Sequence, residues 1–386
     1  MAILIVGGGL GGLATALALH RAGHPVELYE AAPVIRAVGA GVVLGANVIQ
    51  QLTQLSPALG AALLAAGVPV GGLQLEDETG RPLLAVSSAA YVRRHFRPHP
   101  NLALRHADLQ ALLLAQLPAG MVRTSHTFSK YVLASGGVVA HFANGHRASG
   151  HALVAADGLH SAVRTQLLPA AQPRYAGYTC WRAVVPAPAG LLPPNGPAVF
   201  RETWGATGRF GYVPVGRGQV YWFCCLNAAQ PADPALAAYT PADLARHFAH
   251  YHPAVPALLA ATPPEAMLWH DIVALPALPR FAFGRVLLLG DAAHATTPNL
   301  GQGAGQALED AFALAACFGK STHPAVAFRA FEQARRARTQ AIVRRSGLVG
   351  RLAQLQHPAL VAARNALLRA TPGFVTGLQT KFIYRG

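Results

Sequence analysis

Residues 290–310 read GDAAHATTPNLGQGAGQALED and follow the apolar run Arg285–Leu289. After its arginine this run is short and uniformly apolar, as expected for a strand that is covered on both faces. Gly301, Gly303 and Gly305 then remove the side chains that would keep a flat ligand away from the backbone. Apolar residues at helical spacing follow, and the N-terminus of a helix favours an anion. The stretch predicts a strand, a loop and a helix with a ligand at the carboxyl edge of a parallel sheet, although a tight turn before a packed helix would leave a similar pattern.

A second glycine-rich turn lies near the N-terminus, where Gly7–Gly12 matches the pattern G-x-G-x-x-G. It follows a predicted strand over Ile3–Val6 and precedes a predicted helix over Leu13–Arg21, a strand over Val26–Tyr29 and then Glu30. In a dinucleotide-binding unit the glycines permit the turn, admit a pyrophosphate to the helix N-terminus and let the helix pack on the strand, while the acid binds ribose hydroxyls. This combination predicts binding of an adenine dinucleotide.

A third predicted strand end lies in the middle of the chain. The apolar run Ala152–Ala155 is followed by Asp157 and Gly158, and Ser161 can cap a short helix after them. Ligands of open α/β sheets bind at the carboxyl ends of the strands. We therefore expect the three glycine-containing strand ends to converge on one ligand.

The segment from Gly177 to Ala274 is rich in β-forming and aromatic residues. It predicts a sheet that offers a surface for a flat ligand, although each ring taken singly could equally belong to a packed core. From Phe328 onward the sequence is predicted to be helical, with arginines among apolar positions. A solvated amphipathic face is the favoured interpretation there, and a membrane-surface or dimer contact is the alternative.

The composition is that of a folded protein with a large core. The chain has 386 residues, of which 52% are hydrophobic and 12% charged, and this excludes disorder. No apolar run approaches the roughly 18 residues needed to span a bilayer, and Ala2–Val6 has no cationic leader, so the expected location is the cytoplasm. The cysteines have neither metal-ligand spacing nor the pattern of a disulfide framework, so no metal site is predicted. They are Cys180, Cys224, Cys225 and Cys317.

The net charge of +15 could gather phosphates. Only three lysines accompany the arginines, however, and the arginines are scattered until the C-terminal segment. No basic motif with interleaved aromatic residues of a known nucleic-acid reader is present. We expect no nucleic-acid partner. Membrane contact is disfavoured, while attraction for acidic small molecules or for an anionic membrane surface stays open.

The three motifs stand in one order along the chain: Gly7–Gly12 with Glu30, then Asp157-Gly158, then Gly290-Asp291 with Pro298 and the following glycines. Together they resemble the single-component FAD-dependent aromatic monooxygenases, the group that includes 4-hydroxybenzoate, salicylate and urate hydroxylases. The resemblance covers nearly the whole chain. It is specific for the superfamily and not for one substrate.

The resemblance implies an α/β fold with a discontinuous Rossmann-like FAD-binding domain, an inserted mixed β-sheet substrate domain and a C-terminal helical segment. The predicted ranges are 1–70, 101–175 and 275–330 for the FAD-binding domain, 71–100 and 176–274 for the substrate domain, and 331–386 for the C-terminal helices. The oligomeric state is left open between monomer and homodimer.

The resemblance also implies which residues hold FAD. The ADP half falls to the first motif, the phosphates and ribityl chain to two arginines and Asp291, and the isoalloxazine ring to the loop after Pro298. The family usually has an arginine immediately before the Ala-Asp-Leu of the helix near residue 107, whereas here His106 stands there and Arg105 is one step earlier. The implied cofactor-binding residues are Gly7, Gly9, Leu10, Gly12, Glu30, Ala31, Arg36, Val43, Arg105, Phe128, Asp157, Asp291, Pro298, Gly301, Gln302, Gly303, Ala304 and Gly305.

The similarity to urate hydroxylases is closer, through residues 174–178, Arg209 with Val213-Pro214, Tyr221 and residues 296–298. It implies that Arg209 and Tyr221 are catalytic residues that orient the substrate. Cys180 stands where an asparagine that reads the purine is expected. This departure predicts a substrate other than urate.

The implied reaction is hydroxylation of a small aromatic or heteroaromatic substrate with NADH or NADPH and O₂, through a flavin C4a-hydroperoxide. Two enzyme alternatives stay open: a flavin-dependent dehydrogenase, and an epoxidase or antibiotic-inactivating monooxygenase that acts on a larger polycyclic substrate. A protein that binds flavin or another ligand without turnover is a further alternative. A flavin disulfide reductase is excluded, because it needs a cysteine pair near the first glycine motif and no cysteine precedes Cys180. The four tryptophans form no W-x-W-x-I-P motif of flavin halogenases.

Overall fold

The computed structural model describes residues 2–35, 40–192 and 197–384, which form three sheets and the helices around them. The strands are β1 (Ile3–Val6), β2 (Val26–Tyr29), β3 (Gly41–Leu44), β4 (Val68–Glu76), β5 (Pro82–Ser87), β6 (Asn101–Arg105), β7 (Val122–Arg123), β8 (Phe128–Ala134), β9 (Gly137–Phe142), β10 (Arg147–Gly150), β11 (Ala152–Ala155), β12 (Arg174–Pro186), β13 (Ala198–Trp204), β14 (Arg209–Gly216), β15 (Gln219–Asn227), β16 (Leu268–Ala274), β17 (Ala282–Phe283) and β18 (Val286–Leu288). The helices are α1 (Leu10–Arg21), α2 (Ala46–Leu55), α3 (Pro57–Ala66), α4 (Ala89–His95), α5 (His106–Leu114), α6 (Ala162–Leu167), α7 (Pro234–Ala237), α8 (Pro241–His247), α9 (Ala254–Ala260), α10 (Asp291–His294), α11 (Gly303–Lys320), α12 (Pro324–Ala353), α13 (Pro358–Arg369) and α14 (Gly373–Tyr384), with short 3₁₀ turns at Pro264–Ala266 and Pro298–Leu300.

The first sheet has the strand order β17-β18-β11-β1-β2-β7 and is parallel except for β17. Every residue of β1 and β11 is buried, since α1 and α11 pack together over one face and the antiparallel sheet β10-β9-β8 lies against the other. Their uniformly apolar sequences follow from this cover on both faces. The predicted Rossmann-like domain is confirmed.

The large sheet has the order β16-β12-β15-β14-β13-β4-β6-β3, with β5 paired to β4. It is mixed, as predicted: β13 runs parallel to β4, while β12, β14 and β15 pair antiparallel. Helices α8 and α9 cover one face, where Phe248 and Leu258 pack with Trp181 and Trp222. The opposite face, which we call the inner face, carries Tyr221.

Two strands of the large sheet fall in ranges that we assigned to the FAD-binding domain. Strand β3 pairs with β6, and β6 pairs with β4, so residues 41–44 and 101–105 continue the large sheet. The pairing depends on contacts across dozens of residues, which local sequence patterns do not contain. Both strands belong to the large sheet alone, so the predicted ranges do not coincide with the division between the two sheets.

Helix α12 joins the two parts of the molecule from the other side. Its first half packs on α11, and its last turns join a cluster with β4 and β5 through Val349 and Ala353. Helices α13 and α14 also pack on β5. Within the described residues, none of the helices combines the length and the apolarity needed to cross a bilayer.

Candidate functional site

The three predicted strand ends meet at one edge of the parallel sheet. The register pairs Val6 with Ala155 and Ala155 with Leu288, so the turns that follow β1, β11 and β18 lie side by side. Arg164, from the helix after β11, is buried and donates to the carbonyls of Leu159 and Ala292, which ties the second turn to the third. The three strand ends are therefore neighbours, and that they bind one ligand stays a prediction.

Stereochemistry explains the glycines of the first turn. Gly7 has φ +106°, and a Cβ there would lie 2.2 Å from the carbonyl oxygen of Ala156. A Cβ on Gly12 would lie 1.9 Å from the Gly7 oxygen. Around Gly9, in contrast, a Cβ would have no heavy atom of the described residues within 4 Å. Two glycines are thus needed for packing within the protein, while Gly9 faces open space at the N-terminus of α1, where a pyrophosphate can approach.

The acid of this motif is held by backbone amides. Glu30 accepts hydrogen bonds from Gly8 N at 2.6 Å and from Ala32 N at 2.8 Å. Each carboxylate oxygen has a further acceptor position, so the bonds orient the group and leave capacity for ribose hydroxyls. Leu10 is buried at the start of α1, and Ala31 is exposed next to the acid. Arg36 lies outside the described residues.

Asp157 follows β11 and contacts the start of α6. Its Oδ2 accepts from Val163 N at 3.2 Å, while its Oδ1 is buried and has no hydrogen-bond partner among the described residues. Burial raises the pKa of Asp157, against the lowering effect of hydrogen bonds from Ser161 and from backbone amides. A buried acceptor without a partner is costly, and this one lies at the edge where the three turns meet.

The third turn leaves β18 with a left-handed glycine. Gly290 has φ +60°, and the loop after it contains the single helical turn α10 rather than an uninterrupted coil. Asp291 is the first residue of α10, and its side chain is accessible to solvent at the sheet edge. The protein mass around the carboxyl raises the pKa of Asp291, and the nearby His294 opposes this shift. A ligand can reach this carboxyl.

A buried network of charges fixes the loop, and the sequence patterns did not reveal it. Asp310 accepts from Gly290 N at 3.0 Å, from His294 Nε2 at 2.6 Å and from Arg335 Nε at 2.7 Å. Arg335 also donates to Glu309 at 2.9 Å. Burial would raise the pKa of Asp310, but the charges of His294 and Arg335 lower it overall. These contacts hold the β18 turn against α11 and α12.

The glycines before α11 leave room for a ligand. Gly301 has φ +61°, and a Cβ there would have no heavy atom of the described residues within 4 Å. For Gly303 the nearest such atom, Thr296 Cγ2, is 3.7 Å away. Pro298 is exposed, Gln302 and Ala304 are half-buried, and Gly305 is buried within α11. The first turn of this 18-residue helix is therefore open to an anionic or flat group.

Arg209 and Tyr221 both lie on the inner face of the large sheet. Arg209 on β14 pairs with Cys225 on β15, and Cys225 is four residues from Tyr221 along β15. Arg209 and Tyr221 are therefore about 13 Å apart along the strand direction. The ring of Phe223 lies between them, 5.9 Å from the Arg209 guanidinium carbon and 6.2 Å from the Tyr221 ring. Phe223 and Tyr221 are half-buried, so a flat ligand could rest on these two rings, whereas Arg209 is covered by its neighbours.

The guanidinium of Arg209 is almost completely buried. It lies 3.4 Å from Glu202 Oε1 and 3.5 Å from Cys225 Sγ, and it faces the Tyr178 ring at 5.6 Å. Burial raises the pKa of the Cys225 thiol, but a hydrogen bond from Cys180 and the charge of Arg209 bring it down to about 7. Arg209 is thus held by internal partners.

Tyr221 belongs to a second polar group on this face, and sequence patterns had not singled out its arginine. The ring of Tyr221 packs so closely on Gly41 that a Cβ there would lie 2.4 Å away. Burial raises the pKa of Tyr221, and Arg182 lies close enough to oppose the shift. Burial and the charge of Arg182 also lower the pKa of His106, and they lower that of His270 to about 4. Arg182 is therefore the cation shared by a phenol and two neutral histidines.

Of the remaining predicted residues, Arg105 and Val43 lie near this region and Phe128 does not. Arg105 forms a two-pronged ion pair with Asp108, at 2.6 and 2.9 Å. His106 is the first residue of α5, and its Nδ1 is buried without a hydrogen-bond partner among the described residues. Val43 packs in the cluster on the inner face, whereas Phe128 is buried in β8 with its ring 6.3 Å from that of Phe142.

A surface cavity of about 830 Å³ lies between β12 and α12. Tyr178 and Asn299 line it, and the tyrosine hydroxyl donates to Asn299 Oδ1 at 3.1 Å. Asn299 also donates to Thr297 and to the carbonyl of Ser346. The loop after β18 is in this way joined directly to the inner face, close to Arg209.

The fold and the family define the class as a flavoprotein with a Rossmann-like sheet. A family model described as the FAD binding domain matches residues 1–346, and the chain belongs to this family. The resemblance to single-component FAD-dependent aromatic monooxygenases is confirmed.

Curated relatives and solved structures cover almost the whole chain. The chain is 33% identical over 371 residues to the aurachin C monooxygenase/isomerase of Stigmatella aurantiaca, which covers 96% of this chain and 94% of that protein. It is 33% identical over 377 residues to the 2-heptyl-3-hydroxy-4(1H)-quinolone synthase of Pseudomonas aeruginosa, with the same coverage. The structure of Klebsiella pneumoniae HpxO complexed with FAD and uric acid matches with a TM-score of 0.89 and 30% identity, over 99% of this chain and 96% of that chain.

Proposed function

We propose that the protein is an FAD-dependent monooxygenase that uses NADH or NADPH and O₂ to hydroxylate a small nitrogen heterocycle or a related aromatic compound. The proposal depends on one arrangement of the molecule. Three glycine turns meet at the edge of the parallel sheet, and the inner face of the large sheet carries two separate cations, Arg209 and Arg182. Bound FAD, reduced by the nicotinamide, supplies the oxygen-activating chemistry. The residues described above supply the binding, the orientation and the exclusion of water.

The residues at the sheet edge fit FAD. The open side of Gly9 admits the pyrophosphate to the N-terminus of α1, and Glu30 accepts from the adenosine ribose. The Oδ1 of Asp157 and the accessible carboxyl of Asp291 are acceptors for hydroxyl groups of the cofactor. The start of α11 at Gly303 brings amide groups and the positive end of a helix dipole, which favour a ring that becomes anionic on reduction.

The substrate is proposed to lie between this loop and Phe223. One relative is named as the synthase of a 3-hydroxy-4-quinolone, and the solved complex contains uric acid; both compounds are heterocycles with a carbonyl oxygen next to a conjugated ring. Arg182 is a cation whose Nε is buried without a hydrogen-bond partner among the described residues, so it suits such an oxygen in its enolate form. The raised pKa of Tyr221 keeps its hydroxyl protonated at neutral pH, so it can donate to the ring oxygen or accept from the ring nitrogen.

Oxidation of the nicotinamide tests this proposal. Purified protein is incubated with FAD and NADH or NADPH, with and without 4-quinolones, uric acid and simple phenols. A true substrate should stimulate nicotinamide oxidation and O₂ consumption, and mass spectrometry should find one atom from labelled O₂ in the product. Oxidation that no aromatic compound stimulates would favour a flavin-binding protein without turnover.

A further inference from the structure

The C-terminal part of the chain is strongly basic. From Gln333 to Gly386 the sequence has nine arginines and one lysine but no aspartate or glutamate, which is ten of the 31 lysines and arginines of the chain. Several are used within the protein, among them Arg335 in the Asp310 network and Arg364, which donates to the Trp204 carbonyl. Arg344, Arg351 and Lys381 are exposed. The segment thus has cations at its surface and no acid of its own to neutralise them.

Exposed apolar side chains are concentrated in the same segment. Thirteen large apolar side chains are exposed in the described part of the chain, and seven of them lie between residues 348 and 378. They are Leu348, Leu352, Leu360, Leu367, Phe374, Val375 and Leu378. Leu367 is 71% exposed and Phe374 is 70% exposed. A cluster of this kind differs from the isolated apolar residues that any surface carries.

Packing places these side chains on one side of the molecule. Helices α13 and α14 both pack against β5, and the last turns of α12 share a cluster with β5 through Val349. Their opposite faces therefore point outward together. Leu360 and Leu367 are seven residues apart, and Phe374 and Leu378 are four apart, so each pair lies on one face of its helix. We call this surface, formed by residues 344–381, the C-terminal face.

Further cations adjoin the C-terminal face. Helix α4 packs against the end of α14, with the Tyr91 and Tyr384 rings 5.5 Å apart. This helix exposes Arg93 and Arg94. The apolar side chains are therefore bordered by arginines and a lysine from two parts of the chain.

We propose that the C-terminal face binds the surface of a bilayer that contains anionic lipids, with α13 and α14 lying in the plane of the interface. Apolar side chains beside arginine and lysine are the combination with which amphipathic helices enter the acyl boundary while their cations remain at anionic headgroups. A second copy of the same face would place like charges opposite one another without an acid to compensate them. Nucleic acid would pair with the cations but would leave the leucines and Phe374 exposed.

The test is sedimentation of the full-length FAD-loaded protein with vesicles. Vesicles of phosphatidylcholine alone are compared with vesicles that contain phosphatidylglycerol, at low and high salt. The protein should sediment with the phosphatidylglycerol vesicles at least tenfold more strongly than with phosphatidylcholine alone, and salt should reduce the difference. Equal partition between the two vesicle types, or no binding to either, would overturn the proposal.

A pair of variants distinguishes binding through the C-terminal face from nonspecific adsorption of the protein to vesicles. Leu367→Gln with Phe374→Gln should lose at least tenfold in vesicle binding, whereas Leu133→Gln, at a position 61% exposed on β8, should bind like the unmodified protein. Unchanged FAD content and melting temperature establish that both variants fold. Equal loss in the two variants would contradict the proposal, and so would conversion of a dimer to a monomer by the first variant without any vesicle binding.

Discussion

At the scale of single residues, Arg209 was predicted to orient the substrate, and its surroundings also give it a structural role. Its charge is buried next to Glu202 and the Cys225 thiol, and removal of one member of a buried pair leaves the other uncompensated. A loss of activity on replacing Arg209 can therefore be interpreted only if the charge of Glu202 is removed as well. The sequence predicted Arg209 by resemblance, but it could not reveal that Glu202 lies beside it, because the two are joined by strand pairing.

Replacement of Arg209 by alanine should lower the free energy of unfolding by about 3–5 kcal/mol, because Glu202 loses its partner. The double variant Arg209→Ala with Glu202→Gln removes the remaining charge and should recover most of that stability in thermal unfolding. Substrate-stimulated nicotinamide oxidation should stay impaired in both variants, with normal FAD content. Full turnover in the double variant, or loss of its FAD, would contradict the role assigned to Arg209.

His270 should make the stability of the protein depend on pH. Burial and the charge of Arg182 lower its pKa from 6.5 to about 4, against the effect of Asp271. Between these two values the unfolded chain binds a proton that the folded protein does not, so stability falls as the pH drops from 6.5 to 4. The contribution is about 3 kcal/mol, at 1.36 kcal/mol per pKa unit.

Chemical denaturation at several pH values measures this effect. The variant His270→Asn should lose less stability than the unmodified protein over that interval, whereas the exposed His20→Asn should follow the unmodified protein. Parallel curves for the unmodified protein and the His270 variant would contradict the prediction.

At the scale of elements, the loop after β18 is held by its ends rather than by its own sequence. Asp310 on α11 and Arg335 on α12 fix the Gly290 turn, and Asn299 joins the following 3₁₀ turn to β12. The loop itself carries Gly301 and Gly303, where a Cβ would meet no described heavy atom closer than 3.7 Å. A loop that is fixed at both ends and carries no bulky side chains in its middle is preorganised to bind a planar group.

Two glycines at opposite ends of α11 provide a matched pair of substitutions. Gly301 precedes the helix in a left-handed conformation, so Gly301→Ala should cost about 1–2 kcal/mol and weaken FAD binding. Gly319 is exposed near the other end, with no described heavy atom within 4 Å of a Cβ, so Gly319→Ala should stabilise by about 0.5–1 kcal/mol. Thermal unfolding with and without FAD distinguishes them. Equal effects of the two changes on FAD affinity would refute the special role of Gly301.

Elements with strong local signals were predicted well, and those that depend on distant partners were not. The strands before Gly7, Asp157 and Gly290 are short apolar runs that end in glycine or acid, which is visible within a few residues. The membership of β3 in the large sheet depends on pairing with β6, about sixty residues away. The Asp310 network likewise joins charged residues that, in sequence, look like any exposed helical position.

At the scale of the whole molecule, the chain crosses repeatedly between two sheets and closes with helices on the outer edge. The predicted discontinuity of the FAD-binding domain follows from the central position of β1, between β11 and β2. The C-terminal helices complete the packing around β5 and present a basic, apolar surface.

The most direct measurement of the central claim is FAD titration of the unmodified protein and of Gly9→Val, followed by flavin absorbance and fluorescence. Gly9 has φ −71° and an open side, so valine should fold normally while its side chain occupies the space proposed for the pyrophosphate. We predict one FAD per chain for the unmodified protein and at least a hundredfold weaker binding for the folded variant. Unmodified protein that does not take up FAD, or a Gly9→Val variant that binds it equally well, would contradict the account.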